Sequence, residues 1–169
     1  MPPPITALGI VHTVVSLVAI ACGLLAFWRA GAVCWTTRLG RVYVGATFVA
    51  AATALAIHTR SALGPGHMLA LLTLAALGVA WAAPRLMPAG LRAQQLQTAA
   101  LTITLFCHAI PGTTEALTRL PLDAPLLASP DHPVVKVTSL LWLLACGATV
   151  WWQMRRLKSG ALRVSAGQG

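Results

Sequence analysis

Acidic side chains are almost missing from this chain. Glu115, Asp123 and Asp131 are the three it has among 169 residues, and all fall between Thr113 and Pro133. A di-iron centre of the ferritin type needs several inward-facing carboxylates, so that chemistry is excluded. Serines and threonines in the apolar runs have no acid near them to complete a hydrolytic triad, and no acid is placed for proton coupling inside a membrane. Charge of either sign is scarce at 9%, where a soluble domain carries about 25%. Cys22, Cys34, Cys107 and Cys146 form no C-x-x-C pair, and they read as small apolar residues rather than a disulfide framework. The phosphate-binding G-x-x-x-x-G-K-[ST], the nucleophile elbow G-x-S-x-G and the zinc motif H-E-x-x-H are all missing. No basic residue precedes the first apolar run, so Ile5–Trp28 reads as a retained helix and not as a secretory signal.

What the chain does have is apolar length. Hydrophobic residues make up 57% of it and mean hydropathy is +0.78, which fits a surface that mostly meets lipid. Five runs fall out: Ile5–Trp28, Val42–His58, His67–Ala83, Gln94–Ile110 and Val134–Met154. The punctuation between them is basic or rich in proline and glycine: Arg29 to Arg41, the Gly64-Pro65-Gly66 turn, Pro84 to Arg92, and Thr113–Pro133, with Pro111-Gly112 expected to stop the fourth helix. The expected fold is an all-α integral membrane bundle of five transmembrane helices in one domain, residues 1–154, followed by a basic, flexible tail over 155–169.

Cations set its orientation. With the N-terminus outside, Arg29, Arg38, Arg41, Arg85, Arg92, Arg155, Arg156, Lys158 and Arg163 are cytoplasmic, and Arg60, Arg119 and Lys136 are outside. Nine of the 12 basic residues then follow the positive-inside rule. The net charge of +9 is explained by loops at anionic headgroups, and the chain lacks the interleaved basic and aromatic surface that nucleic-acid binding needs.

Arg38–Val44, RLGRVYV, and Gly64–Leu74, GPGHMLALLTL, together with the preceding His12 helix, resemble an uncharacterised family of small bacterial multi-span membrane proteins, a domain of unknown function. The resemblance is closest over the first half of the chain. It implies a bacterial inner-membrane location and carries no established activity. That family's loop often has a histidine before the arginine, where this chain has Thr36-Thr37-Arg38.

Histidine is the residue left to explain. In the five-span arrangement His12, His58, His67, His108 and His132 all fall towards the outer side, with His12 about 10 Å along its helix from Ile5 at 1.5 Å per residue. Three helical stripes carry them or lead to them. These are Gly9, His12, Ser16, Ala19 and Gly23; Tyr43, Thr47, Ala51, Ala54 and His58; and Gln94, Gln97, Leu101, Thr104 and His108. Small and hydroxyl residues mark helix–helix contacts in membranes. Imidazole ligates haem iron and transition metals, so His12 and His108 are the candidate ligands of a b-type haem or a metal, with His58 and His67 as secondary candidates and Asp131-His132 as an outer-loop pair. This reading expects an electron-transfer protein or a respiratory accessory subunit, with no catalytic residue assigned. The plain alternative is that these imidazoles sit at the headgroup level or bond across helices to Ser16 or Thr104, at roughly 1 kcal/mol. The protein would then be a cofactor-free scaffold or accessory subunit that packs on itself or on other membrane subunits. A small-solute permease is the third reading.

Overall fold

A computed structural model describes residues 6–57 and 64–162, and over them the protein is all-helical. Five helices follow in chain order: α1 Ala7–Ala30, α2 Arg38–Ala56, α3 Pro65–Leu86, α4 Leu91–Arg119 and α5 Pro133–Lys158. Four of them, α1, α2, α3 and α5, are long and apolar enough to cross a membrane.

The helix ends follow local chemistry. Thr6 caps α1 by accepting from the Gly9 amide at 3.1 Å, and Thr37 caps α2 by accepting from the Gly40 amide at 3.0 Å. Pro65 and Pro133 stand at the first turns of α3 and α5, where a missing N–H costs nothing. Gly31 ends α1 with φ +70° and its amide bonds the Phe27 carbonyl at 2.7 Å, a left-handed cap that suits glycine.

The helices run further than the sequence suggests: α2 begins at Arg38 and not Val42, and α3 continues through Pro84, placed between runs by the sequence, to Leu86. Pro111 does not stop α4, which continues to Arg119. Proline removes one backbone donor, but the Thr113 hydroxyl donates to the Ala109 carbonyl at 2.8 Å and that of Thr114 to Ile110 at 2.9 Å, keeping this turn bonded. At the end of α5, Arg155, Arg156 and Lys158 lie on the helix and not in a tail.

Each helix packs on its neighbour in sequence, and α1 also touches α4. The central cluster joins Ala19 and Ala26 of α1, Tyr43 of α2, Leu77 and Ala80 of α3, and Ala100, Leu101 and Leu105 of α4. Small residues allow the close approaches: a Cβ on Gly23 would stand 2.8 Å from both Leu105 Cδ1 and the Tyr43 ring. At the far end of the bundle, Ala32 and Cys34 after α1 pack with Leu157 and Leu162. Large apolar residues such as Leu17, Phe48, Leu72 and Leu143 point outward.

The tightest backbone approach is at Gly40, where a Cβ would fall 1.7 Å from the Cys34 carbonyl oxygen, whereas one on Gly45 would meet nothing within 4 Å. Gly40→Ala is therefore expected to destabilise the protein by about 1–3 kcal/mol, as overpacking does. Gly45→Ala is expected to be neutral or slightly stabilising in its helix. Thermal unfolding of the two variants in detergent compares them directly.

Candidate functional site

On α2, Tyr43 and Thr47 are one turn apart on one face. On α4, Thr104 and His108 are spaced in the same way, and the two faces meet. The Tyr43 hydroxyl lies 2.6 Å from Thr104 Oγ1, and Thr104 donates its own proton to the Leu101 carbonyl at 2.8 Å. The Tyr43 hydroxyl also lies 3.4 Å from the Leu101 carbonyl, so tyrosine, threonine and that carbonyl form one bonded group. His108 Nε2 bonds Thr47 Oγ1 at 3.1 Å, and its ring stands edge-on to Tyr43 with centroids 6.4 Å apart. Tyr43, Thr47 and Thr104 are fully buried.

His12 of α1 reaches the same helix. Its Nδ1 lies 3.0 Å from the Ala50 carbonyl and 3.2 Å from Thr53 Oγ1. A carbonyl only accepts, so Nδ1 carries the proton and Nε2 keeps its lone pair in the neutral ring. Thr47 and Ala50 are three residues apart, about 4.5 Å along the axis. His12 and His108 thus bond α2 one turn apart.

The other histidines do other work. His67 accepts from the Gly64 amide through Nδ1 at 3.4 Å, closing the first turn of α3. His132 accepts from the Val134 amide at 3.3 Å and caps α5. His58, a candidate ligand from the sequence, lies outside the described residues. Among those residues, no group of three or more His, Cys, Asp or Glu side chains is placed to hold a metal ion.

Beside His108 a cleft of about 280 Å³ opens between α1, α4 and α5. Its walls include Ile20 and Leu24 of α1, Phe106, His108 and Thr113 of α4, and Trp142 of α5. The lining is almost wholly apolar, yet the Trp142 indole Nε1 is buried with no hydrogen-bond partner. The Trp142 ring is held edge-on against Phe106, with centroids 5.9 Å apart. Nothing in the spacing of the sequence marks Trp142, because its role depends on α5 lying against α4.

Gln153 also escapes a reading by periodicity. It is fully buried, accepts from Thr102 of α4 at 2.8 Å and donates to the Gly31 carbonyl at 2.9 Å. An uncharged amide between the apolar, aromatic run that ends in Trp151-Trp152 and the basic last turn was the available signal.

Tyr43→Phe and Thr104→Val are each expected to lower stability by about 1 kcal/mol. Their effects should not add, with a coupling near the size of one interhelical bond, because each removes the same interaction. A double-mutant cycle on unfolding in mixed micelles measures that coupling.

No protein-family model matches the chain, and no curated protein or solved structure shows significant similarity to it.

Proposed function

We propose that the chain is a five-span protein of a bacterial inner membrane, N-terminus outside, that binds a lipid-soluble ligand carrying a hydrogen-bond acceptor in the cleft beside His108. The 29 residues of α4 are long enough to cross, at about 43 Å. The polar residues that lower its hydropathy, Gln97, Thr98, Thr102, Thr104 and His108, are buried, which supports counting it as a fifth span. The nine-to-three division of basic residues supports the orientation.

The observation that carries the ligand reading is the unpartnered Trp142 N–H. A polar group left unsatisfied inside hydrocarbon costs several kcal/mol. Trp142 lines the cavity with His108 and Thr113, and its N–H, buried and without a partner among the described residues, is reached from that space only when the indole turns. Indole nitrogen donates and does not accept, so the complement is a carbonyl-type oxygen on an apolar body. Isoprenoid quinones have that chemistry. About 280 Å³ is at the small end of ligand sites, which run to roughly 300–1,000 Å³. It suits one ring, with the tail passing into lipid. A quinone is a two-electron carrier, so this reading keeps the electron-transfer or respiratory accessory role expected from the sequence.

A second reading has its own support. The Ala50 carbonyl orients His12 so that Nε2 carries the lone pair, as an outer-shell acceptor does for a ligating imidazole. Haem b or a transition metal at His12, with His108 or His58 completing the ligation, follows from that. A cofactor-free accessory subunit is the outcome if neither kind of ligand binds.

Decylubiquinone is expected to raise the melting temperature of the detergent-purified protein. Trp142→Phe should weaken its apparent affinity by about tenfold, the worth of one hydrogen bond near 1.5 kcal/mol. Trp151→Phe, away from the cleft, should leave it unchanged. Equal binding of decylubiquinone and an alkane of the same length would overturn the acceptor argument. Absorption spectra decide the second reading: a Soret band lost in His12→Ala supports haem, and a colourless, metal-free preparation from cells supplied with haem and metals removes it.

A further inference from the structure

A second opening, of about 670 Å³, lies between the C-terminal ends of α1 and α5. Its lining includes Phe27, Trp28, Gly31, Trp152, Arg156 and Leu162. We propose that this groove is a binding site for one anionic phospholipid, its phosphate on Arg156 and an acyl chain laid along the seam between α1 and α5. The inference does not depend on the quinone reading, which concerns the other end of that seam.

The floor is built, not incidental. After α5 the chain turns at Gly160 with φ +70°, and the Leu162 amide bonds the Arg156 carbonyl at 3.0 Å. Leu162 is thereby tucked under the groove into the cluster with Ala32, Cys34 and Leu157. Gly31 has φ +70°, and a Cβ there would stand 3.2 Å from the Trp152 ring, so both backbone and close approach favour glycine. The Gln153 amide bonded to the Gly31 carbonyl holds those ends together.

Charge then selects the ligand. The Arg156 guanidinium stacks over Trp152, with Cζ 5.2 Å from the ring centroid. Stacking uses the flat face and leaves the in-plane N–H fork free for a planar or tetrahedral anion. No Asp or Glu can take that place. The three in the chain are Glu115, at the far end of α4, and Asp123 and Asp131, in the loop before α5. The 23 residues from Pro133 to Arg156 separate that loop from the groove by about 35 Å of helix. Trp28 is 89% exposed beside the groove, an amphipathic ring of the kind found at the headgroup level.

Length fits an acyl chain. Leu24 lines both this groove and the cleft beside His108. From Arg156 to Trp142 is 14 residues, about 21 Å of helix, and one leaflet contributes about half of a ~30 Å hydrocarbon core plus its headgroup layer. A chain anchored by its phosphate at Arg156 would end near Leu24 and the mouth of the cleft.

Native mass spectrometry of the full chain tests this, with phosphatidylglycerol and phosphatidylcholine of the same acyl composition added in detergent. The wild type is expected to retain one phosphatidylglycerol in preference to phosphatidylcholine. Arg156→Gln should reduce that preference roughly fivefold, the effect of one basic residue at an anionic surface. Arg155→Gln, one position along but outside the groove, should keep it. Equal retention of the two lipids by the wild type, or a preference that survives in Arg156→Gln, would overturn the proposal. So would displacement by inorganic phosphate alone, which would mark a plain ion site, or a dimer that forms as lipid is lost, which would assign the groove to a second copy. If Arg156→Gln does not fold, Trp28→Ala carries the test: its ring is outside the packed interior, so reduced retention supports the site and unchanged retention overturns it.

Discussion

Polar groups inside an apolar medium must find their partners within the protein, and α4 is where this bundle meets that constraint. Four of its buried polar residues bond to three different helices, while the Thr98 hydroxyl has no partner among the described residues. Gln97 donates to the Ala80 carbonyl of α3, Thr104 and His108 pair with Tyr43 and Thr47 of α2, and Thr102 donates to Gln153 of α5. The first helix is tied in by His12 at Ala50 and by Gln153 at Gly31. Apolar packing between helices is non-directional where the surroundings are equally apolar, so these bonds fix rotation and register even though each is worth about 1 kcal/mol. The same placement explains why α4 has lower hydropathy than its neighbours: its polar face is turned to protein on several sides.

Much of this frame was legible from spacing. The small stripe on α1 supplies Ala19 and Gly23 to the core, and the stripes on α2 and α4 supply Tyr43, Thr47, Leu101, Thr104 and His108. Periodicity identifies which face is buried. It does not identify which helix lies opposite, so the pairing of Tyr43 with Thr104, 61 residues away, could not be read. The expected alternative for the imidazoles, a bond across helices, names the right kind of contact with other partners: His12 meets Ala50 and Thr53, and His108 meets Thr47. Pro111 misled for a different reason. Proline as a helix stop holds where water competes for the freed carbonyls, and here threonine hydroxyls on the next turn hold the neighbouring ones.

The openings follow from how α5 is attached. It packs along α4 and meets α1 near one end, through Gln153 at Gly31 and the tilted contact of Trp152 with Phe27, centroids 6.3 Å apart. Away from that clamp the two helices diverge, and α4 forms the back of the gap. An open seam between helices would ordinarily fill with lipid chains. This seam has a guanidinium at the clamped end, which hydrocarbon does not complement, and Trp142, whose buried N–H lacks a partner among the described residues, further along.

That asymmetry gives the two proposed ligands a common boundary at Leu24. A phospholipid chain that ends near Leu24 and a ring seated against Trp142 would meet at that side chain. If both ligands bind and overlap there, each would weaken the other, and linkage makes the effect equal in both directions. The coupling acts through a shared side chain: Tyr43, Thr104 and Gln153, whose bonds hold the helices in register, line neither opening, whereas His108 forms part of the cleft wall while bonded to Thr47.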